Sequence, residues 1–191
     1  KRRMTDVEFL KLTSVKDVMI SDHLQTTHVT NKAKEALEQL QKHHITALPV
    51  FDPEKERFVS FVDMVDLPTF ATKILDEADL KETKPAGYFE FLNAHDKFKA
   101  GDVGTVSNMS NRDAYLQILE GADMKTAVSA LMDFGPIHPL AVVGASPPNN
   151  LVGLLTQSQI FGWVHDNINK FPSIKDRTVA DLGAFSANPK T

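Results

Sequence analysis

Apolar residues recur in two stretches of the chain at the spacing that one face of an α-helix requires. In the first stretch they stand at positions i, i+3, i+4 and i+7, as Ala33, Ala36, Leu37 and Leu40. In the second stretch the same spacing returns 91 positions later, as Met124, Ala127, Val128 and Leu131. Both patterns predict amphipathic helices. Short polar side chains precede each, so Thr30 or Asn31 is a candidate N-cap for the first helix and Asp123 for the second.

Two short apolar runs follow each predicted helix, and turn-forming residues separate them. In the first stretch the runs are ALPVF (47–51) and RFVSFV (57–62), joined by DPEKE (52–56). In the second stretch they are PLAVV (139–143) and LVGLLT (151–156), joined by GASPPNN (144–150). Runs of this length between turn residues predict pairs of buried strands with hairpin connections. The offset has grown to 92, which predicts a one-residue insertion at Gly135-Pro136.

A further amphipathic helix is predicted after each pair of strands. In the first stretch its apolar face comprises Leu67, Phe70, Ala71 and Ile74. In the second stretch, at an offset of 93, the face comprises Ile160, Trp163, Val164 and, one position late, Ile168. Pro68 falls in the first turn of its helix, where proline is tolerated.

The agreement of these elements in order indicates an internal duplication. SVKDVM (14–19) precedes the first copy and TVSNMS (105–110) the second, and their alignment pairs Val15 with Val106. Each copy therefore reads strand, helix, strand, strand, helix, and the two sheets are expected to bury faces against each other. The predicted division is a first repeat over 13–80, a connector with a short helix over 81–104, a second repeat over 105–170 and a C-terminal tail over 171–191. Within the connector, GYFEFLNAHDKF (87–98) predicts either a helix packed on the pair or a docking surface.

Composition and charge restrict the class of protein. The chain has 191 residues, a net charge of −4 and a pI of about 6.0, so it carries no excess of cations for nucleic-acid phosphates or anionic lipid. It has no cysteine, which rules out disulfides, cysteine-based zinc sites and a cysteine nucleophile. No apolar run approaches the ~20 residues needed to span a bilayer. We expect a cytoplasmic protein that binds neither nucleic acid nor membranes, with the nucleus as an alternative location.

The ordered set of elements resembles a tandem pair of CBS domains, the adenosine-nucleotide-sensing unit also called a Bateman module. The segments that carry the resemblance are SVKDVM (14–19), VTNKAKEALEQLQKHHITALPVFD (29–52), FVSFVDMVDL (58–67), TAVSALMDFGPIHPLAVV (126–143) and LVGLLTQSQI (151–160). Within the family, KAKEAL, ALPVFD and RFVSFVDMVDL are similar to the gamma regulatory subunit of the AMP-activated protein kinase. The resemblance implies an α/β (α+β) fold in which two β-α-β-β-α CBS repeats pack side by side by their sheets with pseudo-two-fold symmetry.

In that family the ligand lies in a cleft between the paired sheets, and the pattern Gly-h-h-[Ser/Thr]-x-x-Asp, where h is apolar, contributes to it. The hydroxyl contacts phosphate or ribose, and the carboxylate binds ribose hydroxyls because it can accept two donors at once. In the first copy the pattern runs from Ser60 to Asp66, which supplies the ribose carboxylate. Asp63 replaces the hydroxyl and would repel a phosphate. The structural alternative for Asp63 is an N-cap of a helix that begins at Met64.

In the second copy the pattern runs from Gly153 to Gln159. Gly153 and Thr156 keep the family's residue types, but Gln159 replaces the carboxylate with a neutral amide. Thr156 is equally suited to be the N-cap of the helix that follows it. Each copy therefore keeps about half of the chemistry that the resemblance implies.

Basic contacts for phosphate are few. His138 matches a basic phosphate contact of relatives, but Pro139 stands where relatives often carry arginine, and Thr46 stands at the comparable basic position of the first copy. The resemblance also places Ala47, Pro49 and Ala141 against the base, with Val15 and Val106 of the two lead-in segments beside it. We therefore expect weak or single-site binding of an uncharged or singly phosphorylated adenosine-type ligand, from the group AMP, ADP, ATP and S-adenosylmethionine, anchored by Asp66 or Thr156.

Two functions of different class remain open. The first is a regulatory module that senses an adenosine-type ligand and transmits its occupancy, and Asp66 and Thr156 favour it. The second is a ligand-free scaffold or dimerisation module with degenerate sites, and Asp63 and Gln159 favour it. The carboxylate pair lacks a nucleophile or oxyanion donor of known pattern, so no catalytic residue and no enzyme are predicted. The seven histidines show no metal-ligand spacing, so neither a metal site nor a required cofactor is expected.

The C-terminal segment DRTVADLGAF (176–185) contains a third lead-in of the same kind. Aligning TVADLG with SVKDVM pairs Val179 with Val15 and Asp181 with Asp17. The segment predicts either the start of a third repeat or a cap packed on the pair. Relatives associate with a second CBS pair, so the expected partners are a second copy in a homodimer or further repeats of a longer chain, together with a kinase-like or other effector protein.

Overall fold

A computed structural model of the chain contains two three-stranded sheets of the same topology. It describes residues 4–75, 88–110, 115–133, 139–145, 150–178 and 181. The first sheet comprises β1 (Thr27–His28), β2 (Ala47–Asp52) and β3 (Arg57–Asp63), and the second comprises β4 (Gln117–Leu119), β5 (Leu140–Val143) and β6 (Leu151–Leu155). In both sheets the central strand pairs in parallel with the first strand and antiparallel with the last. The predicted α/β fold of two repeats is confirmed.

Helices surround the sheets, and four of them lie where the apolar spacing predicts them. They are α1 (Asp6–Leu12), α2 (Ala33–His43), α3 (Asp66–Ile74), α4 (Tyr88–Ala94), α5 (Asp96–Ala100), α6 (Val103–Val106), α7 (Met124–Asp133) and α8 (Gln157–Asp166), with 3-10 turns at Val15–Asp17 and Ile168–Lys170. The predicted apolar faces of α2 and α7 are the faces that pack into the two cores. None of the described helices is both long and apolar enough to cross a membrane.

Strand register confirms the offsets of 92 and 93 between the repeats. Leu48 pairs with Val62 in the first sheet, and Leu140 pairs with Leu155 in the second. Both hairpins also shift register at the same place, between Val50 and Phe51 in one copy and between their equivalents 92 positions later in the other. The predicted insertion at 135–136 lies outside the described residues.

The segment ahead of each repeat packs on the opposite repeat. We call residues 13–20 the first arm and residues 101–110 the second arm. In the first arm, the N–H of Val15 donates to the carbonyl of Ala122 at 2.8 Å. In the second arm, the N–H of Val103 donates to the carbonyl of Asn31 at 2.7 Å. Since Asn31 and Ala122 are 91 positions apart, these bonds are equivalent, and the arms are exchanged reciprocally between the repeats.

This exchange corrects the predicted alignment of the arms. Val15 corresponds to Val103, at an offset of 88, and not to Val106. The residues before these valines give the same offset of 88. Ser14 forms a β-bridge with Asp123, and Asp102 forms one with Lys32, which is the equivalent of Asp123. Side-chain similarity favoured the wrong register, whereas backbone pairing defines the right one. The arms are also helical turns rather than strands, because the first strand of each sheet forms later, at β1 and β4.

The helix starts agree with prediction in the second copy and differ in the first. Asp123 caps α7 by accepting the N–H of Thr126 at 2.9 Å, and this bond holds the pKa of Asp123 below its ordinary value. In α2 the N-cap is Lys32, whose N–H donates to Glu35 Oε2 at 3.0 Å, and not Thr30 or Asn31. The exchange of arms explains why Asn31 does not cap α2, because the carbonyl of Asn31 accepts a hydrogen bond from the second arm.

A third apolar cluster joins the two copies. It contains the buried residues Ala47, Phe61 and Ala141 with the partly buried Tyr115, Leu151 and Leu154 packed against them. These residues come from both sheets, so the sheets pack face against face as predicted. The candidate site residues lie at the margins of this contact, where β3 and β6 end.

Candidate functional site

The end of β3 and the start of α3 form a closed carboxylate pair. Asp63 Oδ1 accepts the N–H groups of Val65 at 2.7 Å and of Asp66 at 2.6 Å, while Asp66 Oδ2 accepts the N–H of Asp63 at 3.1 Å. The pair therefore satisfies backbone donors reciprocally, in the manner of a capping box. Asp63 thus binds backbone donors just ahead of α3, as a cap does, but it is not the predicted N-cap, because α3 begins at Asp66 rather than Met64 and its N-cap is Val65.

The second arm completes the coordination of Asp66. The N–H of Ser110 donates to Asp66 Oδ1 at 2.9 Å, and the N–H of Asn108 donates to Oδ2 at 3.2 Å. Asn108 has a φ of 55°, in the left-handed region that asparagine tolerates better than most residues. That backbone conformation turns the arm so that two of its N–H groups face one carboxylate.

Asp66 is a fully buried carboxylate, with 0% of its surface exposed. Its burial away from water raises its pKa above the ordinary value, the N–H of Ser110 lowers the pKa, and the charge of Asp63 raises it further. Both oxygens are engaged by backbone donors, which compensates the carboxylate for lost water. In this conformation both oxygens of Asp66, the predicted ribose contact, accept hydrogen bonds from the protein's own backbone.

Thr156 and Gln159 form the equivalent structure at the start of α8. Thr156 Oγ1 accepts the N–H of Gln159 at 3.2 Å, and Gln159 Oε1 accepts the N–H of Thr156 at 2.8 Å. This is a capping box, so the capping role of Thr156 is confirmed. Both side chains remain partly exposed, in contrast to the buried pair of the first copy. Gln157 and Ser158, in the first turn of α8, are exposed as well.

The first arm approaches the second copy differently from the way the second arm approaches the first. Ile20 pairs with Leu154 on β6 through two hydrogen bonds of 2.8 and 2.9 Å. The approach needs Gly153, because a Cβ there would lie 2.5 Å from Met19 Sδ and 2.8 Å from the carbonyl oxygen of Ile20. The first arm thus continues the edge of the second sheet, whereas the second arm is held by the side chain of Asp66.

The remaining predicted site residues fall into three environments. Ala47 and Ala141 lie in the cluster between the sheets, and Pro49 is buried on the same strand as Ala47. Thr46 is exposed, and its carbonyl accepts the N–H of Met64 at 3.1 Å.

Val15 and Val106 have no exposed surface and lie in the second and first cores, respectively. His138 lies outside the described residues, as do Val179 and Leu182 of the third lead-in.

Residues that the sequence patterns did not single out contribute to the contact with Asp66 and to the cluster between the sheets. Asn108 and Ser110 act through backbone N–H groups, which a side-chain pattern cannot reveal. Phe61 and Tyr115 pack with ring centroids 5.4 Å apart in the cluster between the sheets. The hydroxyl of Tyr115 is buried, and this burial raises its pKa. Among the described residues no group of three or more His, Asp or Glu side chains is placed to hold a metal ion.

Comparison with known proteins identifies the fold. Residues 15–68 match the family model for the CBS domain. The chain is 21% identical to CBSX2 in its crystal structure with AMP, with a TM-score of 0.58, over 81% of this chain and 98% of that one. It is 14% identical to the CBS domain of a bacterial CNNM/CorC family Mg²⁺ transporter in complex with ATP, with a TM-score of 0.60, over 83% and 92% of the two chains.

A curated relative is similar over most of this chain. Protein SDS23 of Candida albicans is 24% identical over 190 residues, which are 90% of this chain. The alignment covers 30% of that relative, so the chain spans less than a third of its length. The specific likeness to the gamma regulatory subunit of the AMP-activated protein kinase stays a prediction.

Proposed function

Because the chain has the fold of a tandem CBS module, we propose that it is a non-catalytic regulatory module that binds an adenosine-type ligand and transmits its occupancy to a partner. The start of α8 carries the proposal. There Thr156 presents a hydroxyl, in a partly exposed position, at the N-terminus of a ten-residue helix. Helix N-termini favour anions through their unpaired N–H groups and dipole. Structural neighbours that bind AMP or ATP support the ligand class.

The second copy is the better candidate for the occupied cleft. A ligand there would approach Thr156 without breaking a contact between an arm and a side chain, whereas in the first copy Asp66 is already bound to the second arm. Transmission follows from the exchange of arms, since a ligand that favours one relative angle of the copies shifts both cores. We therefore expect a single adenosine-type ligand per chain.

Isothermal titration calorimetry with AMP, ADP, ATP and S-adenosylmethionine tests this proposal. We expect at least one ligand to bind with a stoichiometry of one. The variant Thr156→Ala should weaken binding, and Thr156→Ser, which keeps the hydroxyl and the cap, should retain it. The absence of heat from all four ligands up to millimolar concentration would refute the proposal.

The second candidate function is a scaffold or dimerisation module with degenerate sites. The closed pair at Asp63 and Asp66, together with the bond between Gln159 and Thr156, favours it, because these groups are used to start helices. Thermal denaturation with each ligand separates the two functions. A ligand that binds only the folded state raises the melting temperature, whereas a scaffold shows no shift.

A second CBS pair is the partner that we propose. Its support is an apolar surface on the second copy, where Met132 on α7 is 77% exposed and Phe161 on α8 is 72% exposed. These residues border a groove of about 350 Å³ whose lining is mainly apolar. We expect light scattering to give the mass of a dimer for the wild type and of a monomer for the double variant Met132→Glu, Phe161→Glu. A wild-type monomer would contradict the dimer, and the kinase-like effector stays a prediction.

A further inference from the structure

We propose that the second arm is a built-in plug of the first cleft, and that Asp66 is the latch that holds it there. The ligand part of this inference rests on the proposed function, but the latch itself does not. The residues that carry it are Asp66, Asn108 and Ser110. The plug explains why a chain that keeps the ribose-type carboxylate in its first copy presents no accessible carboxylate there.

The second arm offers Asp66 the same number of hydrogen-bond donors as a ribose would. A ribose offers a carboxylate two neighbouring hydroxyl donors, and the second arm offers it two backbone N–H donors, from Asn108 and Ser110. One N–H of the arm is bound to each oxygen of Asp66. With the arm in place Asp66 has no exposed surface, so a diol cannot reach its oxygens until the arm moves away.

The second copy holds its arm without a side-chain latch. Gln159 stands at the position equivalent to Asp66, but its side chain bonds to Thr156 and not to the first arm. The first arm is held instead by strand pairing with Leu154 over Gly153. In the first copy Ser60 stands where the second has Gly153, so the same close pairing would meet a side chain. The latch replaces a strand contact that the first copy cannot make.

Asn108 gives the end of the second arm an uncommon backbone conformation. Asn108 holds a positive φ of 55°, and this conformation directs its N–H and that of Ser110 to the same carboxylate. The end of the arm, beyond the buried Val106, adopts a sparsely populated conformation to make this contact, and such a conformation persists only where surrounding contacts hold it. When the contact is lost, the arm is expected to relax to ordinary backbone angles.

Hydrogen exchange in the ligand-free protein tests the latch directly. In Asp66→Asn one oxygen is replaced by an amide NH₂, which cannot accept a hydrogen bond. We expect the amides of Asn108 and Ser110 to exchange at least tenfold faster, because a bond to a charged acceptor is lost, while the amides of Leu48 and Val50 in β2 stay unchanged. Gln159→Ala, at the equivalent position, should leave exchange in the first arm unchanged. Unchanged exchange at Asn108 and Ser110 in Asp66→Asn overturns the latch whatever the ligand does.

Two variants of the arm test the plug without altering Asp66. In Asn108→Val a β-branched residue is forced to a positive φ, which should loosen the arm, and Asn108→Gly removes the penalty and should tighten it. We expect a second AMP-binding site to become measurable by calorimetry in Asn108→Val and to stay closed in Asn108→Gly. In Asp66→Asn the arm is released but no second site appears, because its carboxylate is gone.

These experiments distinguish a failure of the latch and plug from a failure of the proposed ligand-binding function. If exchange responds to Asp66→Asn and no AMP binds to any variant, the latch stands and the proposed function fails. If AMP binds with a stoichiometry of two to the wild type, the plug is overturned and the proposed function stands.

Discussion

Single residues decide how each arm reaches the opposite copy. At two equivalent positions the second copy has Gly153 and the first has Ser60, and this difference of a side chain coincides with two modes of docking. The glycine admits the hydrogen-bonded pairing of Ile20 with Leu154, whereas in the first copy the side chain of Asp66 binds the arm. The departure from symmetry at the sites thus accompanies two differences between the copies, Gly153 for Ser60 and Gln159 for Asp66.

Replacement of Gly153 by alanine should destabilise the protein by about 1–3 kcal/mol. The added Cβ would lie 2.5 Å from Met19 Sδ and 2.8 Å from the carbonyl oxygen of Ile20, so the first arm must move. Urea denaturation followed by circular dichroism measures the change. Gly162→Ala is the matched control, because its Cβ meets nothing within 4 Å and alanine should stabilise α8 by about 0.5–1 kcal/mol. Equal effects of the two variants would contradict the close approach of the arm.

The two aspartates Asp66 and Asp123 should give opposite dependences of stability on pH. Burial raises the pKa of Asp66 in the folded state, so the folded protein keeps this proton to a higher pH than the unfolded chain does. Stability is therefore lost as the pH rises from about 3.9 through the raised pKa of Asp66. The pKa of Asp123 is lowered, so its contribution is present above about pH 3.9 and is lost as the pH falls through its folded pKa.

Denaturation of Asp66→Asn, Asp123→Asn and the wild type between pH 3 and 7 measures these slopes. The free energy of unfolding of the wild type, relative to Asp66→Asn, should decrease as the pH rises. Relative to Asp123→Asn it should decrease as the pH falls. A flat difference for Asp66→Asn would mean that this carboxylate is not buried in solution.

At the scale of elements, the apolar periodicity was sufficient for the hairpin strands and for the helices that flank them, but not for β1 and β4, since the first strand of each copy was predicted too early, in the arms. The spacing of α2 and α7 and the offsets of 92 and 93 are properties of local sequence and short hairpins, and the structure confirms them. The arms were misaligned because their equivalence lies in backbone bonds to the opposite repeat, which leave no side-chain signature. The latch at Asp66 was missed for the same reason, although the Asp-x-x-Asp spacing of a capping pair was visible.

Helix α1 should act as a clamp on the second copy through an aromatic cluster. Phe9 stacks on Trp163 of α8 with centroids 5.3 Å apart and meets Phe171 edge-on at 5.4 Å. Because Phe9 is only partly buried, Phe9→Ala should destabilise by about 1–3 kcal/mol, less than a fully buried phenylalanine. Trp163 is the single tryptophan of the chain, so its emission should shift to the red. Leu12→Ala, at an exposed position of α1, should leave both the emission and the stability almost unchanged; an equal red shift would exclude the clamp.

At the scale of the whole molecule, the exchange of arms makes each core depend on both repeats. Val103 and Val106 of the second arm are buried in the core of the first repeat, and Val15 of the first arm is buried in the core of the second. The sheets also share the cluster around Phe61 and Ala141. A change that loosens one core withdraws an arm from the other, which provides a physical route for a ligand in one cleft to affect the whole module.

This interdependence predicts one cooperative unfolding transition for both repeats. Leu40 and Leu131 are equivalent residues, one in each core, and replacing either by alanine should cost about 2–5 kcal/mol through the cavity that it leaves. If the repeats unfold together, each variant lowers the midpoint of a single calorimetric transition, and the calorimetric enthalpy stays equal to the van't Hoff enthalpy. If the repeats were independent, each variant would split the transition and leave the other half at the wild-type midpoint. Since both arms cross between the cores, we expect the single transition, and a split in either variant would show that the exchange does not couple the two repeats.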